Sequence, residues 1–90
     1  MKQSKAVAVV EREIFNATAK NGEFNSAHEG YAVLLEEVEE LWDDIKANKG
    51  YTVQAAEEAK QVAAMAIRYL IDFGAEEWYD ENGNRNFRQM

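Results

Sequence analysis

The residues of this chain best suited to chemistry are carboxylates that crowd into positions 29–44. This acidic stretch accounts for the whole net charge of −7, because acidic and basic residues elsewhere are equal in number. Its centre, Glu36-Glu37-Val38-Glu39-Glu40, spaces carboxylates three and four residues apart, on one side of a helix. Oxygen ligands arranged in this way suit a hard divalent cation such as Mg²⁺. The alternative is the ordinary solvated face of an amphipathic helix.

Helical phase sorts the carboxylates of this stretch. At about 100° per residue, Glu40 lies roughly 40° from Glu36, and Glu37 lies roughly 100° from it, beside the apolar face. We therefore expect Glu37 and Glu40 to converge at the edge of the core with Glu36 beside them. Glu39 and Asp43 are expected to face solvent.

A further carboxylate, Glu58, falls inside the apolar arc of the next helical segment. A buried carboxylate must be neutralised, paired with a cation or bound to a metal. Gln61 follows at the spacing that places two side chains on one helix face, so it can share the same site. We expect a metal site between the two helices or, alternatively, an ion pair of Glu58 with Lys5, Arg12 or Lys60.

Three helical segments must position these residues. Capping and turn residues place them at 1–21, which ends at Asn21-Gly22, at 26–48, which opens with the capping box Ser26 to Glu29, and at 52–74, which follows Thr52. The tail, 75–90, is ambiguous apart from a turn at 82–84.

These features predict one all-α domain spanning residues 1–90. With no proline to interrupt the helices, the short connections favour a three-helix antiparallel unit. So small a unit would complete a four-helix-bundle core by forming a homodimer or homotetramer.

Composition excludes several classes of function. The chain has no cysteine, which rules out disulfides, a thiolate zinc site and a cysteine nucleophile. No apolar run approaches the ~20 residues that cross a bilayer, and the negative charge disfavours nucleic-acid binding. We expect a cytoplasmic protein with neither a membrane nor a nucleic-acid partner.

The two acidic motifs resemble a known family, the MazG-like all-α nucleoside triphosphate pyrophosphohydrolases, and especially its short stand-alone and phage-type members. The signature of that family is E-E-x-x-E on one helix and E-x-x-D on the next, matched here by residues 36–40 and, except at Gln61, by residues 58–61. The resemblance covers about residues 25–74. It implies oligomeric bundles that bind Mg²⁺, or Mn²⁺, and cleave a nucleoside triphosphate to the monophosphate and pyrophosphate.

The resemblance also implies roles for individual residues. It assigns metal binding to Glu36, Glu37, Glu40 and Glu58. Gln61 replaces the aspartate of the family, and its amide oxygen can ligate Mg²⁺ without contributing charge. A second hypothesis is therefore a weakly active or inactive protein that keeps the fold and binds or assembles without turnover.

Hydrolysis of a nucleoside triphosphate needs a base and contacts to the phosphates. Glu36 or Glu40 could orient water or accept its proton. Lys60 and Arg68 are candidates for the outer phosphates, and His28 is a candidate for a phosphate or base contact. The alternatives are a solvent-facing or Asp72-paired Arg68 and a merely superficial His28.

Overall fold

The computed structural model describes residues 1–86. They form three α-helices and a short 3₁₀ helix: α1 Gln3–Asn21, α2 Ala27–Lys46, α3 Val53–Phe73 and η1 Glu76–Trp78. The all-α prediction is confirmed over these residues, in which an isolated bridge between Tyr79 and Arg85 is the one trace of β pairing. Within the same range, no helix has the length and apolar character needed to cross a bilayer.

Local chemistry accounts for the helix ends. Ser26 Oγ accepts the backbone N–H of Glu29 at 3.1 Å, and Thr52 Oγ1 accepts the N–H three residues on at 3.2 Å, as N-caps do. In a capping box the Glu29 carboxylate would accept the backbone N–H of Ser26. Here it accepts the N–H of the preceding residue, Asn25, at 3.0 Å. α1 stops at Gly22, whose φ of 71° lies in the region that glycine adopts without strain.

α3 is the central helix of the fold. It packs against both α1 and α2, whereas α1 and α2 make no close backbone approach to each other within the described chain. Gly30 near the start of α2 lies against Tyr69 near the end of α3, so these helices run antiparallel. Lys60 pairs with Glu13 of α1, and this contact sits midway along both helices.

The core is small and built largely from small side chains. Its buried members are Ala17, Phe24, Ala64 and Met65, and half-buried apolar residues pack around them. At Gly30 a Cβ atom would come within 3.0 Å of the Tyr69 ring, so glycine permits this close approach of α2 to α3. None of the larger side chains among residues 1–86 is completely buried, which leaves much apolar surface exposed.

The tail folds back on itself after α3. Asp80 Oδ1 accepts the backbone N–H groups of Asn82 and Asn84, each at 2.9 Å. Gly83 has a φ of 84° and donates to the carbonyl of Asp80 at 3.0 Å. The predicted turn at 82–84 is therefore present, and the last residues of the predicted tail, 87–90, lie outside the described range.

Candidate functional site

A cleft of about 600 Å³ runs between α1 and α2, with α3 as its floor. It exists because α1 and α2 both pack on α3 while their backbones stay apart from each other. We call it the interhelical cleft. Its polar lining residues are Glu13, Asn16, Lys20, Asn21, Glu23, Glu29, Glu37, Glu40, Glu57, Glu58, Gln61 and Arg68.

Four of the five expected metal ligands line this cleft. Glu37 and Glu40 enter it from α2, and Glu58 and Gln61 enter it from α3. Glu36 does not line it and is exposed. The tertiary structure therefore brings together two motifs that are about 20 residues apart in the chain, and it leaves Glu36 at the outer edge.

The two ends of the cleft differ in charge. Carboxylates crowd the end at which α3 begins, where Glu13 of α1 is near enough to Glu37 of α2 to repel it. At the end where α1 stops, the cleft is lined by equal numbers of cations and carboxylates: Lys20, Arg68, Glu23 and Glu29. The cleft is thus strongly acidic at one end and balanced in charge at the other.

Burial and charge crowding both act on Glu37. Loss of solvent raises the pKa of its carboxyl above the usual value, and repulsion by Glu40, Glu36 and Glu13 raises the pKa further. A divalent cation would reverse the electrostatic part of this shift, because it favours the ionised form of each nearby carboxylate.

Asp44 is the functional candidate that the sequence reading missed. Its carboxyl meets that of Glu58 across the interface of α2 and α3, and each keeps one buried oxygen, Asp44 Oδ2 and Glu58 Oε2, without a hydrogen-bond donor. Sharing of a proton with Asp44, together with burial and repulsion, raises the pKa of the Glu58 carboxyl to about 7. The sequence pattern could have indicated Asp44, because it lies one turn beyond Glu40 on the same helix face.

Lys60 has partners other than those expected. Its ammonium lies 2.5 Å from the Glu57 carboxylate and 3.6 Å from that of Glu13. The ion pair of Glu58 with Lys5, Arg12 or Lys60 is absent from residues 1–86, so that alternative is wrong. Lys60 also does not line the cleft, and neither does the exposed His28.

Arg68 is buried, with only 4% of its surface exposed. Its guanidinium donates to the carbonyl of Gly22 at 2.6 Å and stands 4.5 Å from the centre of the Phe24 ring. The alternative of a solvent-facing or Asp72-paired arginine is wrong, since Asp72 instead accepts the backbone N–H of Phe24 at 2.9 Å. No carboxylate lies within ion-pair distance of Arg68 among the described residues. Backbone and side-chain hydrogen bonds lower the pKa of the Glu29 carboxyl, which lines the same cleft, and the charge of Arg68 lowers it further.

The donor set of the acidic end has the chemistry that Mg²⁺ prefers, because it consists of carboxylate and amide oxygens. The unpaired oxygens of Asp44 and Glu58 fit such an ion. In residues 1–86, however, no three Asp, Glu or His side chains already converge as a metal cage does. To hold a cation, these side chains would therefore have to move closer together.

Comparisons with family models, curated proteins and solved structures found no match to this chain. The resemblance to the MazG-like pyrophosphohydrolases therefore rests on the motif residues themselves.

Proposed function

We propose that the interhelical cleft binds a nucleoside triphosphate with Mg²⁺ or Mn²⁺ and hydrolyses it, in the cytoplasm, to the monophosphate and pyrophosphate. The observation that carries the proposal is the position of Glu37, Glu40, Glu58 and Gln61 along one cleft. The presence of Arg68 in the same cleft, away from the acidic end, adds support. A cation-bound triphosphate presents positive charge at one point and negative charge at another, and the acidic end and Arg68 complement these.

The cation would be held by oxygens from both walls of the acidic end. Glu37 and Glu40 supply carboxylates from α2, Glu58 supplies one from α3, and Gln61 offers a neutral oxygen. Asp44, in contact with Glu58, is near enough to contribute the charge that Gln61 lacks. When bound, the ion would neutralise charge on the phosphates and make a nearby water more acidic.

Glu40 is the better placed of the two carboxylates expected to act as base, because it lines the cleft and Glu36 does not. In the proposed reaction the water oxygen attacks the α-phosphorus while Glu40 accepts the water proton. The phosphoanhydride bond between the α- and β-phosphates breaks, and pyrophosphate leaves. Arg68 is the phosphate contact we retain, since Lys60 is held by two glutamates and His28 lies outside the cleft.

Release of pyrophosphate from a panel of nucleoside triphosphates with Mg²⁺ tests this function. We expect release by the wild-type protein and a loss of at least about a hundredfold in Glu58→Gln, the scale on which misplaced catalytic groups are felt. Glu39→Gln is the matched control, because Glu39 is exposed and does not line the cleft. Release that is absent, or equal in the two variants, would overturn the catalytic proposal.

A second function is binding without turnover. Gln61 favours it, because a neutral amide replaces one carboxylate of the family motif and cannot accept a proton. The absence of a preformed three-carboxylate cage in residues 1–86 favours it too. Calorimetric binding of a non-hydrolysable triphosphate with Mg²⁺, in a protein that releases no pyrophosphate, would identify this case.

We also propose that the chain self-associates through an outer apolar face on α2 and α3. Its members are between 38% and 61% exposed: Tyr31, Val38, Trp42, Ile45, Ile67 and Leu70. On α2 they occupy an arc of about 60° on the side opposite Glu36 and Glu40. Two copies, each with a charge of −7, would meet there with least repulsion. Two helices from each copy would then complete a four-helix bundle.

A further inference from the structure

Two cations of α3 connect this helix to α1 and to Gly22, the residue at which α1 ends. Arg68 donates to the carbonyl of Gly22 at 2.6 Å, and Lys60 pairs with Glu13 at 3.6 Å. The two cations are eight residues apart, or roughly 12 Å along the helix. Arg68 lines the cleft, whereas Lys60 does not. The two cations therefore have different roles.

The ion pair of Lys60 with Glu13 is less exposed to solvent than the surface pair of Lys46 with Asp43. The side chains of Lys60 and Glu13 are 18% and 15% exposed, against 52% and 72% for Lys46 and Asp43 on the surface. Mutual attraction with Glu57 and Glu13 raises the pKa of the Lys60 ammonium. The pair is therefore screened less by water and salt than a surface pair.

Both partners of Lys60 line the cleft, as do Glu37, Glu40 and Glu58. Seven carboxylates line the cleft, and without Lys60 these five, all but Glu23 and Glu29, would face its acidic end without a counter-ion. With Lys60 in place, two of them already have a counter-ion, and the remaining three have no ion pair among residues 1–86.

We propose that Lys60 is an affinity-limiting counter-ion, which withdraws Glu13 and Glu57 from the cation site and limits how tightly the cleft holds a divalent ion. The inference rests on the proposed cation site. Its consequence is that the ion is not retained permanently and can arrive and leave with a phosphate ligand. Lys60 itself therefore contacts no substrate.

Binding of Mn²⁺ alone, measured by calorimetry at low salt, tests this role. Lys60→Met removes one positive charge near a divalent ion, so we expect binding at least about threefold tighter. Lys46→Met is the matched control, because Lys46 pairs with Asp43 three residues away, as Lys60 does with Glu57, but on an exposed face. It should change the affinity by less than about twofold, as screening of an exposed charge implies.

Two further variants separate charge from folding. Lys60→Arg keeps the charge and should retain wild-type affinity. Lys60→Met combined with Glu13→Gln removes one charge of each sign and should bring the affinity back toward that of the wild type. A purely structural role would predict weaker binding in every variant.

The outcomes distinguish this inference from the function on which it rests. If the wild type binds Mn²⁺ and Lys60→Met binds no more tightly, the counter-ion role of Lys60 is overturned alone. If no variant binds Mn²⁺, the cation site and the counter-ion role are both overturned. Absence of pyrophosphate release bears only on the catalytic step.

Discussion

The carboxyl groups of Asp44 and Glu58 meet across the interface of α2 and α3, and each keeps one buried oxygen without a donor. Two acids in contact are stable when they share a proton or a cation. This contact links α2 to Glu58 of the α3 motif through Asp44, a carboxylate outside both motifs that does not itself line the cleft.

The pH dependence of stability should report this contact. The pKa of the Glu58 carboxyl is raised from 4.5 to about 7 in the folded protein. The folded state therefore binds more protons than the unfolded state between these values, and the associated stability is lost as pH rises through about 7. We expect the metal-free melting temperature to fall between about pH 5 and about pH 8.

Glu58→Gln should flatten that fall, because it removes the group that titrates. Glu39→Gln, which changes an exposed carboxylate of α2, should leave the slope unchanged. Circular dichroism melts across the pH range provide the measurement. Identical slopes in all three proteins would show that the contact with Asp44 is not maintained.

Gln61→Asp should strengthen cation binding. The substitution restores the charge that the E-x-x-D motif carries and adds a carboxylate to the cleft floor. We expect binding of Mn²⁺ about tenfold tighter, or about 1.4 kcal/mol. Gln3→Asp, at the exposed start of α1, adds the same charge far from the cleft and should have no such effect on calorimetric titrations.

Arg68→Lys should destabilise the fold although it keeps the charge. Lysine lacks the planar guanidinium that stacks on Phe24 while donating to the carbonyl of Gly22. The expected loss is about 1.5–3 kcal/mol, the scale of a hydrogen bond to a charged group. Urea denaturation measures it, with Arg12→Lys on the exposed face of α1 as the control. Equal denaturation midpoints for both variants would show that the contacts of Arg68 with Gly22 and Phe24 do not stabilise the fold.

Trp42→Glu should prevent self-association. It places a charge in the middle of the outer apolar face, where a second copy would have to bury it. Sedimentation velocity should show the variant as a monomer at concentrations at which the wild type is larger. Tyr51→Glu is the control, because Tyr51 is fully exposed in the connection after α2. A monomeric wild type would refute this interface.

Helical phase was sufficient to predict much of the candidate site. Glu37 and Glu40 reach the cleft from the edge of the α2 apolar arc, whereas Glu58 reaches it from within the α3 arc with Gln61 beside it, and these are local properties. The same reasoning could have found Asp44, one turn after Glu40. Its pairing with Glu58 depends on the register of α2 against α3, and no local pattern specifies that register.

The sequence by itself determined the three helices, their capping residues and the turn in the tail, because caps and glycine stops act within a few residues. The tertiary structure alone decided that α1 and α2 pack on α3 without a close backbone approach to each other, which opens the cleft. It also decided the partners of Lys60 and Arg68. Their carboxylate and carbonyl acceptors on α1 are more than 40 residues away, so helix packing, rather than chain spacing, brings them together.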